Sequence, residues 1–159
     1  MNLNQTAINL MYTFTLGGLA NPGYIQPPQG NLKRYLHLFR DNTGYMDSFI
    51  ASNVLNPLSS LGMSGKELTN IDYSKKDVST VFQPHAQGYI TNTGIVAFPK
   101  AITDWGQITH IGYSAANYDG TDLPFPTSLL WITRLTNDEY VYTGDTLYFK
   151  TGAIRINIR

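Results

Sequence analysis

From Glu67 to the C-terminus the chain alternates apolar and polar residues in short runs, and each run breaks at Gly, Pro, Asn or Asp: "ELTNIDY", "VSTVFQ", "GYITNTGIVAFP", "WGQITHIGYSA", "LLWITRL", "TLYFK" and "AIRINIR". Successive side chains of a strand point to opposite faces, so this period builds strands with one face toward a core. Many short strands separated by turn residues fold as a sandwich or barrel. The expected class is mainly β, an antiparallel β-sandwich or jelly-roll-like fold. The final run is the clearest, with Ile154, Ile156 and Ile158 on one side and Arg155, Asn157 and Arg159 on the other. "YTGDT" and "KTG" on either side of "LYFK" supply the Gly and Asp of tight turns. "RYLHLFR" has apolar or aromatic residues on both faces, which suits a central strand.

The start of the chain follows a different period. Ala7, Leu10, Met11 and Phe14 recur at helical spacing after Asn4, a natural N-cap, and before Gly17 and Gly18, a natural stop. One short N-terminal helix is expected there. "ANPGYIQPPQGN" then concentrates proline and glycine and reads as a connecting arm. Residues 41–66 mix Asn, Ser, Gly and Pro57 with scattered apolar residues and read as mostly loop. The 159 residues suit one domain, with a helix and arm over 1–31 and a β body over 32–159.

Composition narrows the function. Lys+Arg and Asp+Glu balance at 11 each, which gives no electrostatic grip on a phosphate backbone and argues against nucleic acid as a partner. No run of about 18 apolar residues exists to suggest a membrane helix, and the N-terminus lacks the pattern of a secretory signal. A soluble, unprocessed chain is expected. Zero cysteines remove disulfides and thiolate chemistry. Aromatic residues make up 13% of the chain, more than a small interior easily hides, so some are expected at a partner surface.

Candidate chemistry is sparse. His37, His85 and His110 show no metal-binding spacing, Gly65-Lys66 lacks the rest of a phosphate-binding loop, and Ser64 and Ser114 lack a nucleophile elbow. Asp104 and His110 would form part of a triad only if folding joined them, and Asp119 and Asp122 suit a solvated turn better than a calcium site. No catalytic residue, metal ligand or cofactor is therefore expected. His110 reads as a structural, hydrogen-bonded polar residue. Tyr12, Phe14, Tyr24, Trp105 and Trp131 are the candidate interface residues; an exposed tryptophan could stack on a sugar ring, but in a β-sandwich it is more often core or subunit interface.

"NQTAINLMYTFTLGG", "RYLHLFRDN", "GIVAFPKAITDWGQITHIGYSAA", "LLWITRLT" and "YTGDTLYFKTGAIRINI", in this order, resemble small structural proteins of tailed bacteriophages, often labelled tail-fibre proteins. The resemblance implies a β-rich, multimeric, non-enzymatic virion component, assembled in the host cytoplasm, whose partners are copies of itself and other virion proteins. "NYDGTDLPFPTS" and residues 41–66 depart from that pattern. A tail-fibre or tail-attachment position is expected, with a capsid-decorating role as the near alternative. A carbohydrate-binding module, with a host surface glycan as partner, is a reading of another class, and a glycan hydrolase is the least favoured.

Overall fold

A computed structural model describes residues 33–51, 66–85, 89–116 and 129–157. Within them the chain forms β1 (Lys33–Phe39), α1 (Tyr45–Ala51), β2 (Lys76–Asp77), β3 (Phe82–His85), β4 (Tyr89–Asn92), β5 (Val96–Ala97), β6 (Gly106–Ala116), β7 (Leu129–Val141), β8 (Tyr148–Phe149) and β9 (Arg155–Asn157). All strand pairings among them are antiparallel. The sheets have the orders β2-β1-β6-β7, β3-β4-β9 and β5-β8. The expected mainly β, antiparallel class is the observed one. The proposed N-terminal helix and arm lie outside the described residues.

The core follows from strand alternation. Leu36 opposite Tyr113, Leu38 opposite Ile111, and Trp131 opposite Tyr113 place one face of the four-stranded sheet against the interior. Phe82, Ile90 and Ile156 from the three-stranded sheet complete the same apolar cluster. The Phe82 and Tyr113 rings, 5.4 Å apart, join the two layers. This is the sandwich-like packing that two half-apolar sheets reach by burying their inner faces together.

Side chains set the turns. Asn92 is fully buried; its amide donates to the carbonyls of Gly94 and Lys150, and its oxygen accepts from the Ile154 N–H. That one residue fixes the route from β8 into β9. Asp72 accepts from the N–H groups of Ile102 and Thr103, the Thr103 hydroxyl and the Trp105 indole N–H. Burial alone would raise its pKa, yet these donors hold the carboxyl well below the usual range.

Several expectations need correction. "ELTNIDY" is not a strand: only Glu67 forms a bridge, to Phe39, and the chain turns at Ile71 and Asp72. In "VSTVFQ" the strand begins only at Phe82, because Ser79 to Val81 turn. Residues 45–51, expected as loop, form α1, while 52–65 lie outside the described residues. Asp41 explains the helix, since its carboxylate accepts from the Thr43 N–H and hydroxyl and from the Met46 N–H at 2.6 Å. Gly44, at φ 72°, supplies the left-handed residue that lets the chain turn into the first helical turn.

Ile154 and Ile156 are buried as their shared face predicted, and Ile158 lies outside the described residues. Ile156 sits opposite Ile90 in the middle of the core. Ile156→Asp, an unpaired charge in that setting, is expected to lower unfolding free energy by about 3–5 kcal/mol, read from the urea midpoint. A variant as stable as the parent would remove β9 from the core.

Candidate functional site

The second face of the four-stranded sheet is polar where a core face would be apolar. Tyr35 opposite Ser114, His37 opposite Gly112 and Phe39 opposite His110 share this face, and β7 adds Ile132 and Arg134. His37, His110 and Ser114 are nevertheless buried. No buried side-chain nitrogen or oxygen among the described residues lacks a partner. Two clusters satisfy them.

In the first, the chain after β1 comes back along it. The Arg40 N–H donates to the Lys66 carbonyl and the Leu68 N–H to the Leu38 carbonyl, which sets Glu67 beside His37. His37 Nδ1 lies 2.7 Å from Glu67 Oε1, and Nε2 lies 2.6 Å from Ser114 Oγ. A carboxylate only accepts, so Nδ1 carries a proton, and in the tautomer protonated there Nε2 accepts from the Ser114 hydroxyl. The Tyr73 hydroxyl donates to the same Glu67 oxygen and accepts from the Leu38 N–H. Burial, reinforced by the Glu67 charge, pushes the Tyr73 phenol far above its ordinary pKa and keeps it a donor.

The second cluster joins α1 to the sheet. His110 Nε2 faces Asp47 Oδ1 at 3.1 Å, and Nδ1 faces Thr109 Oγ1 at 2.8 Å. By the same reasoning the proton here is on Nε2. Arg134 also pairs with Asp47, and its guanidinium donates to Asp138 at 3.0 Å. The pairing explains how these groups meet: the partner of β6 shifts from Arg134 opposite His110 to Glu139 opposite Ile108, so β7 bulges and brings Asp138 back toward Arg134 and Gln107. Asp47 itself is placed by α1, hence by the Asp41 carboxylate. The Lys66 ammonium adds an ion pair to Asp41 at 3.0 Å.

The sequence candidates fall into four groups. His110 is a buried, hydrogen-bonded residue. Trp105 is fully buried, with its indole N–H on Asp72, and Trp131 is buried against the same core. Tyr12, Phe14 and Tyr24, like Ser64, Asp119 and Asp122, lie outside the described residues. Asp104 does not join His110; it accepts from the Thr143 N–H and hydroxyl instead. No group of three potential metal ligands occurs among the described residues.

Sequence reasoning missed the partners of His37, because Glu67 and Ser114 are 30 and 77 residues away. It also missed the exposed aromatic residues. Tyr140 and Tyr142 are more than half exposed, and their rings stack at 6.3 Å with an interplanar angle of 15°. Tyr148 is open as well. At one end of the four-stranded sheet, β7 is an edge strand that pairs only with β6 among the described residues.

A family model described as Podophage GP4 fiber I protein gp80 matches residues 46–157. The chain belongs to this podophage fibre-protein family. The match runs from α1 through β9 and includes Glu67, His110 and Ser114. It supports a structural protein of the tail-fibre type. No curated protein matches the sequence.

Asp41 offers a test through pH. Burial opposes its ionisation, but hydrogen bonds from Thr43, Met46 and Lys66 outweigh it and depress the folded-state pKa. Its stabilisation is therefore complete above the unfolded value of about 3.9 and is lost as pH falls through the lower folded value. Asp41→Asn is expected to cost about 1–3 kcal/mol at neutral pH. It should also flatten the loss of stability below about pH 4, measured by urea unfolding across pH. An acid limb identical to the parent's would show that Asp41 does not start α1 in this way.

Proposed function

We propose that the protein is a virion structural component at the particle surface, in the tail-fibre or tail-attachment region, associated with copies of itself and with other virion proteins. The family match carries this reading. Two surface features support it. The thirteen-residue edge strand β7 has backbone donors and acceptors available on one side among the described residues, the feature by which strands of separate chains join. Tyr140 and Tyr142 present rigid, amphipathic rings of the kind that anchor interfaces.

A second reading rests on the same tyrosines. Open aromatic rings beside polar side chains are what a sugar-binding surface requires, and Tyr140 sits opposite Gln107, which contacts Asp138. A host surface glycan is the partner this reading names.

Electron microscopy of particles carrying a gold-labelled tag on this chain tests the proposal. Label at the tail, in symmetric sets, is the expected result. Label spread over the capsid would replace the reading with a capsid-decorating one, and particles without label would overturn both.

A further inference from the structure

We propose that Ser114, His37 and Glu67 form a nucleophilic acyl-transfer site that hydrolyses small acyl esters. The inference does not depend on where the chain sits in the particle. It rests on the order of contacts: a carboxylate on His37 Nδ1 at 2.7 Å, and a serine hydroxyl on Nε2 at 2.6 Å. This is the order in which a serine is activated. The carboxylate fixes the tautomer, the other nitrogen accepts the hydroxyl proton, and the carboxylate stabilises the imidazolium that forms.

Three further observations separate this cluster from an ordinary buried hydrogen-bond chain. Glu67 is itself oriented by the Tyr73 hydroxyl, whose other contact is the Leu38 N–H, so the carboxylate that orients His37 is held from behind as well as in front. Ser114 makes its side-chain hydrogen bond among the described residues to His37 alone, whereas the hydroxyl beside His110, that of Thr109, also accepts the Asp41 N–H. Finally, Gly112 lies opposite His37 and two positions before Ser114, so the strand carries no side chain there on the face that both groups share. The partner strand is irregular at this point too: β7 shifts register between Tyr113 and Ser114. Bulges of this kind re-aim side chains beside sites of chemistry.

The reaction follows from the geometry. Ser114 Oγ attacks the ester carbonyl carbon as His37 Nε2 takes the hydroxyl proton. The carbon–oxygen bond to the alcohol breaks, and that oxygen leaves with the proton from His37. Water then attacks the acyl-serine while His37 accepts its proton, and the acid is released as the proton returns to Ser114 Oγ. One ester and one water give one alcohol and one acid. Ser114 is 5% exposed and His37 6% exposed, so a small ester such as an acetyl ester is the probe suited to the site.

The test uses the full chain and two probes. A fluorophosphonate should label the unaltered protein at one site, mapped by peptide mass spectrometry to Ser114, and p-nitrophenyl acetate should compete with it. Hydrolysis of p-nitrophenyl acetate should fall by about 10²-fold or more in Ser114→Ala and in Glu67→Gln. In both, circular dichroism should report the parent fold. Absence of label on folded parent protein, label at another residue, or undiminished hydrolysis by folded Ser114→Ala would overturn the proposal. Labelling is read on the unaltered chain, so it decides between these outcomes even where a variant fails to fold.

Discussion

A strand hydrogen-bonded on both edges leaves its backbone groups no need of solvent, and β6 is such a strand. It pairs with β1 along one side and β7 along the other, and both its faces are covered from Ile108 to Ser114. Every polar side chain on it must then find a protein partner, because an unpaired buried donor or acceptor costs on the order of 1–3 kcal/mol. The rest of the described structure is arranged around that requirement. On the inner face Ile111 and Tyr113 enter the apolar core. On the outer face His110 and Ser114 draw in Asp47 from α1, Arg134 from β7, and His37 with Glu67 from β1 and the segment behind it.

The two histidines solve the problem in opposite ways. His37 donates from Nδ1 and accepts at Nε2, whereas His110 donates from Nε2 and accepts at Nδ1. The difference lies in which element supplies the carboxylate. Glu67 approaches along β1 from the neighbouring segment, while Asp47 comes down from α1 over the sheet. Each carboxylate is placed by another acid or phenol farther out: Tyr73 holds Glu67, and Asp41 starts the helix that carries Asp47. Asp72 ties the segment containing Tyr73 to Thr103 and Trp105. Short-range turn chemistry thereby fixes the geometry of a long-range buried network.

What the sequence made legible follows from the same physics. "RYLHLFR" is readable as a central strand because both faces carry apolar or aromatic residues, "WGQITHIGYSA" as a strand from its alternation, and "AIRINIR" because its alternation is strict. "ELTNIDY" misled because it alternates while its backbone is satisfied elsewhere: the Leu68 N–H reaches Leu38, and Tyr73 closes a turn on Asn70. The helix at Tyr45 was hidden by its length, seven residues, too short to show a helical period, and by a start signal at Asp41 that also suits a loop. Ser114, His37 and Glu67 each look ordinary in the sequence. Only the register of β1 on β6 and the bridge from Phe39 to Glu67 bring them together.

Buried polar groups on the outer face of β6 are held in fixed, complementary hydrogen bonds. Nitrogen-15 NMR of the imidazole rings tests this most directly, since the shifts of the two ring nitrogens report which one carries the proton. In the neutral rings the proton is expected on Nδ1 of His37 and on Nε2 of His110, each as a single tautomer. Averaged tautomers, or the same tautomer in both rings, would contradict it.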